Sequence, residues 1–140
     1  MVKPYRAVVF DFDGTIMDTT ELIIASFQYT VRKHLNYDIT PEEIYPTFGI
    51  PLITALEGLA PGRGQELIQT YREFNLANHD RMVTMFDQVP ETLTTRKERG
   101  YKLGLVTSKA RHSIQKGLDL YDLQPYFDAI VAMEDTSYHK

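Results

Sequence analysis

Ala7-Val8-Val9-Phe10-Asp11-Phe12-Asp13-Gly14-Thr15 decides the fold. Four apolar residues in a row, stopped by Asp11, read as a buried strand of a parallel sheet, because continuous rather than alternating apolarity predicts cover on both faces. Gly14 ends it. Two carboxylates spaced two residues apart just beyond such a strand repel one another unless a cation or a shared proton offsets the repulsion. In open α/β sheets ligands sit beyond the carboxyl ends of the strands, so this is also where chemistry is expected. The competing reading of Asp11-x-Asp13-Gly14 is a tight turn in which the aspartates bond their own backbone.

Outward from this stretch the pattern turns helical. A helix is expected from Thr19 or Thr20 to about Asn36, capped by threonine, with Ile23, Phe27, Val31 and Leu35 four residues apart on one face. Thr40-Pro41-Glu42-Glu43 predicts a second start, with Thr40 as cap, Pro41 in the first turn and Glu43 closing a capping box. Further helices are expected over 52–59 and, after Pro61-Gly62-Arg63-Gly64, over 65–79. Alternation then resumes: a helix opened by Pro90 and stopped by Gly100, a strand over 101–106, a helix over 113–120 and a strand over 127–132. A strand, an all-helical block and repeated αβ units predict an α/β fold, a doubly wound parallel sheet with a helical insertion after its first strand.

The chain has 140 residues, 43% hydrophobic and 24% charged, which suits a folded domain rather than a disordered one. It holds no cysteine, which excludes disulfide scaffolds, thiolate metal sites and cysteine nucleophiles. Fifteen Lys and Arg against nineteen Asp and Glu leave a net charge of −4, so no overall positive field favours nucleic acid. No apolar run is long enough to span a bilayer, and no signal-peptide stretch opens the sequence, so no membrane partner is expected and the cytoplasm is the expected location. His34, His79, His112 and His139 lack metal-ligand spacing. Gly62-Arg63-Gly64 follows no strand and predicts no dinucleotide site.

Beyond the second strand lie Thr107 and Ser108, and beyond the third Glu134 and Asp135. Thr107-Ser108 also reads as a hydroxyl turn opening a helix. Lys109 and Arg111 suit either attraction of a phosphate-rich ligand or a solvated helix start.

The segment Val8–Thr15 resembles the first motif of the haloacid dehalogenase superfamily, and Leu103–Lys109 resembles its second. Glu134-Asp135 with Lys140 resembles the approach to its third, and the helical block resembles its inserted cap. The resemblance implies a Rossmann-like core split as 1–18 and 83–140 around an all-helical cap at 19–82. It also implies phosphoryl transfer, with Asp11 as nucleophile and Mg²⁺ ligand and Asp13 as acid–base group that binds Mg²⁺ through its backbone carbonyl. Thr107 and Lys140 would neutralise the transferring phosphate, and Ser108 and Lys109 would help bind it. Asp18–Phe27 and Tyr71–Asn75 resemble the pyrophosphate-hydrolysing branch, so pyrophosphate is the expected substrate. Phosphoglycolate or another small phosphomonoester is the alternative. The family's fourth motif, an acidic pair after a further strand, has no counterpart before Lys140, and the chain is therefore expected to be part of a longer protein. A non-enzymatic receiver-like module also carries acids after its first strand. It needs an acceptor aspartate at the end of a later buried strand, however, and Asp38 lies between predicted helices.

Overall fold

The computed structural model describes residues 4–137. In chain order these form β1 (Ala7–Phe10), β2 (Met17–Asp18), α1 (Thr20–Leu35), α2 (Pro41–Ile44), α3 (Leu52–Leu59), α4 (Gly64–Met82), β3 (Thr84–Met85), α5 (Val89–Glu98), β4 (Lys102–Val106), α6 (Arg111–Leu120) and β5 (Ala129–Val131). Short 3-10 turns occupy Tyr45–Thr47, Gln124–Tyr126 and Met133–Asp135. Two compact units result: the residues up to Asp18 together with those from Thr84 onward, and Thr19–Val83. No described helix is long and apolar enough to cross a membrane.

The first unit is a Rossmann-like α/β unit around a parallel sheet of order β1-β4-β5. Val8 pairs with Leu103, Val9 with Gly104 and Phe10 with Leu105, while Leu105 pairs with Ile130. Partners in register share a face. Val8, Phe10, Leu103, Leu105 and Ile130 therefore line one face, on which Leu103 and Leu105 are fully buried. Val9, Gly104, Val106, Ala129 and Val131 line the other, where Val9 is 61% exposed and Val131 37%. Among the described residues β1 itself is half-buried at Val8 and Phe10 and exposed at Ala7 and Val9, so the double-sided cover expected from its apolar run is not met.

Helix α5 ends as Gly100 requires. Gly100 adopts φ +83°, and the Tyr101 and Gly100 N–H groups return to the carbonyls of Arg96 and Lys97. A two-residue antiparallel ribbon, Met17 opposite Met85 and Asp18 opposite Thr84, marks where the chain leaves this unit and rejoins it. Strands this short carry no period, so sequence patterning gave no sign of them.

Just before β5, the Asp128 carboxylate accepts the Leu103 N–H at 2.8 Å and Lys97 Nζ at 3.5 Å. That N–H first, then the nearby Lys97 and Lys102 charges, hold Asp128 below the ordinary carboxylate range. A group whose folded pKa is depressed adds stability above its unfolded pKa and loses it as pH falls through the folded value. Thermal stability is accordingly expected to decline as pH falls below the ordinary carboxylate range. Asp128→Asn should flatten that decline in melting curves taken across the range.

The second unit packs α1 against α4 and α3 against α4 over Phe27, Val31, Ile44, Leu56, Leu67 and Tyr71. The Phe27 and Tyr71 rings meet edge to face at 5.2 Å. At the start of α1 Thr19 is the capping residue as expected, but its side chain makes no cap bond. Helix α1 stops at Asn36, which takes the left-handed conformation at φ 59°. Both halves of the predicted capping box form at α2: the Glu43 N–H donates to Thr40 Oγ1 at 3.3 Å and the Thr40 N–H to Glu43 Oε2 at 2.8 Å. Thr40→Ala is expected to cost about 1 kcal/mol, read by urea unfolding.

Candidate active site

Strand β1 delivers Asp11 and Asp13 on either side of an anchor. The Phe12 side chain is fully buried, and its carbonyl accepts the N–H groups of Thr15, Ile16 and Met17 at 3.2, 2.9 and 3.1 Å. Gly14 makes this tight return possible with φ +76°, donating its own N–H to Met17 O at 2.8 Å. Asp11 Oδ1 accepts the Phe12 N–H at 2.7 Å. The local bond expected of a turn is therefore present at Asp11.

Phe12 is wedged against α6. A Cβ built on Gly117 would lie 2.6 Å from Phe12 Cζ, so only glycine lets the helix approach the ring that spaces the two aspartates. Neither residue stands out in the sequence as part of a site. They are 105 positions apart, and no local signal links them.

Because β1 and β4 are parallel, their carboxyl ends share one edge of the sheet, which brings residues 107–109 beside 11–13. Thr107 is buried, and its Oγ1 accepts the Lys109 N–H at 3.1 Å, the hydroxyl turn expected from sequence. Lys109 Nζ donates to Asp13 Oδ1 at 2.9 Å and lies 5.8 Å from the centre of the Phe12 ring. Ser108 is half-buried between them in sequence. Lys109 is thus not a solvated helix-start residue: it is paired with one of the two aspartates.

At the end of β5, Glu134 and Asp135 engage Arg111. The Arg111 N–H donates to both Glu134 carboxylate oxygens, at 3.0 and 3.2 Å, and Arg111 Nη2 pairs with Asp135. The Ala132 N–H first, and the Arg111 guanidinium after it, hold the Asp135 carboxyl below the ordinary range. Lys140 lies outside the described residues.

Among the described residues no cluster of three or more acids and histidines is arranged around a metal. Mg²⁺ does not need one. It commonly takes one or two carboxylates and completes its octahedron with water and substrate phosphate oxygens. Asp11 and Asp13 at a strand end, in a chain without cysteine, form an all-oxygen donor set of that kind.

Comparison with known proteins shows the family. Residues 8–140 match the family model described as haloacid dehalogenase-like hydrolase. The PpaX protein of Caldanaerobacter subterraneus subsp. tengcongensis is 47% identical over 96% of this chain and 61% of its own length. Pyrophosphatase PpaX of Bacillus pumilus is 41% identical over 96% and 62%. The chain thus spans less than two thirds of the curated relatives it matches. The crystal structure of a haloacid dehalogenase-like protein from Bacteroides fragilis superposes with a TM-score of 0.87 at 26% identity, covering 97% of this chain and 67% of that one. A family match over nearly the whole chain, with motif residues gathered at one sheet edge, means that this chain belongs to the haloacid dehalogenase-like hydrolase family.

Proposed function

We propose that the protein is a Mg²⁺-dependent phosphohydrolase working through an aspartyl phosphate on Asp11, with inorganic pyrophosphate as substrate. The observation that carries this reading is the gathering at one sheet edge of Asp11 and Asp13, on either side of the buried Phe12, with the Thr107 hydroxyl turn and the Lys109 ammonium. The pyrophosphatase names of the relatives at 47% and 41% identity support the choice of substrate.

In the first step an Asp11 carboxylate oxygen attacks phosphorus, the bond from phosphorus to the leaving oxygen breaks, and the Asp13 carboxyl gives that oxygen its proton. In the second, water attacks the phosphorus of the aspartyl phosphate and yields its proton to Asp13. Orthophosphate leaves and the Asp11 carboxylate is restored. Mg²⁺, held by the Asp11 carboxylate and the Asp13 carbonyl, would offset the negative charge brought together at the phosphate. Thr107, Ser108 and Lys109 supply hydroxyls and a cation for the phosphate oxygens, as phosphoryl transfer requires of its surroundings. Lys140 is the second cation in this reading. The helical unit 19–83 takes the part of a cap that sets substrate choice.

Phosphate release with Mg²⁺ from pyrophosphate, phosphoglycolate and a panel of sugar phosphates, using the protein at its full native length, tests the proposal. Selective release from pyrophosphate is expected. Selective release from phosphoglycolate would replace the substrate while keeping the chemistry. A folded protein that releases phosphate from none of them would overturn the enzymatic reading in favour of a binding or regulatory module.

A further inference from the structure

Arg111 opens α6 two residues beyond Lys109, and it is committed to protein acceptors. Its Nη2 pairs with Asp135 and donates to Ile130 O at 3.1 Å, while its N–H is taken by the Glu134 carboxylate. Asp135 in turn accepts the Ala132 N–H at 2.8 Å, closing the turn that follows β5. The same two segments are joined again nearby: the Thr107 N–H reaches Val131 O and the Met133 N–H reaches Lys109 O, each at 3.0 Å. The stretch from Thr107 to Arg111 is therefore tied down at both ends. Between the ties stands Lys109, whose ammonium reaches Asp13 across 96 positions of sequence.

We propose that Arg111 is a positioning residue: through Glu134 and Asp135 it locks the loop after β4 onto the turn after β5 and so aims the Lys109 ammonium at Asp13. The catalytic meaning of that aim rests on the reading of Asp13 as the acid–base group. Global stability is not what the network serves. The side chains of Arg111 and Asp135 are 46% and 37% exposed, and ion pairs so open to water contribute little to folding. The geometry of a short loop is more sensitive. Lysine has a flexible four-carbon stem, so its ammonium is placed only as well as the backbone beneath it. Of the two acids, Glu134 holds the backbone of Arg111 and Asp135 holds its side chain. This division of labour accounts for the adjacent carboxylates that the sequence shows beyond the third strand.

The test is the ¹H–¹⁵N signal of the Lys109 ammonium in this chain, assigned by its loss in Lys109→Met. A hydrogen-bonded, shielded ammonium exchanges slowly with water and is visible, whereas a mobile one is not. Arg111→Ala and Asp135→Ala are each expected to abolish the signal while amide resonances away from residues 107–111 and 130–136 stay in place. At full native length, Arg111→Ala should also lower kcat by about 10- to 100-fold, as misplacement of a site group does. Persistence of the ammonium signal in both variants would overturn the proposal, as would its absence from the parent chain. If Arg111→Ala unfolds, Asp135→Ala decides, and unfolding of both would make the contact structural and overturn it. Loss of the signal in the variants of a protein that releases no phosphate would uphold the positioning role and remove the phosphohydrolase reading instead.

Discussion

Asp11→Asn is expected to lower phosphate release by on the order of 10⁴-fold or more while leaving the fold in place, because an amide is no nucleophile toward phosphorus. The structural half of this expectation follows from the bond that Asp11 makes. Its Oδ1 accepts the Phe12 N–H at 2.7 Å, and an asparagine oxygen can accept the same bond, so the turn keeps its anchor. Phosphate release and a thermal melt, taken on the same preparation, check both halves. Normal turnover in the variant would remove Asp11 as nucleophile. Asp13→Asn tests a different step. The amide neither gives nor takes the proton and removes the charge that Lys109 faces, so leaving-group departure and water attack should both slow.

The largest stability effect should come from the residue between the aspartates. Phe12→Ala is expected to cost about 3–5 kcal/mol, the usual range for emptying a fully buried aromatic site. Gly117→Ala attacks the same contact from the other side. The new methyl group would meet the Phe12 ring at 2.6 Å, an overpacking that typically costs about 1–3 kcal/mol. A gain of up to about 1 kcal/mol from helix propensity opposes it. With the ring removed, the methyl group has room. In the Phe12→Ala background, Gly117→Ala should therefore become neutral or stabilising, giving a coupling of about 1 kcal/mol or more in a double-mutant cycle by urea unfolding. Simple additivity would show that the Gly117 methyl group and the Phe12 ring do not clash.

What could be read in advance was local. The strand leading into Asp11 and Asp13, the Thr40–Glu43 capping box and the Gly100 stop each depend on neighbours within a few residues, and all three form, although the strand is only half-buried. The same holds for the Thr107 hydroxyl turn, whose donor is only two residues away. Once the order of strands and helices was recognised, the parallel sheet followed from the connectivity rules that strand–helix–strand units obey.

The features that assemble the candidate site were not local. Lys109 was legible as a cation near a strand end, but a lysine opening a helix meets water as readily as it meets a carboxylate. Its pairing with Asp13 required β1 and β4 to lie side by side in parallel. Arg111 carried the same ambiguity until β5 brought Glu134 and Asp135 against it. The β2–β3 ribbon joins positions 66 and 68 residues apart in strands too short to show a period, and the Phe12–Gly117 contact depends on how closely α6 approaches the turn. Likewise the apolarity of β1 announced burial without saying which face would receive it. The sequence by itself determined the longer elements and their order and singled out the candidate acids, because helix caps, turns and apolar periods act over a few residues. Only the tertiary structure decided which charge meets which, because a side-chain pair is set by the distance between folded segments and not by their separation along the chain.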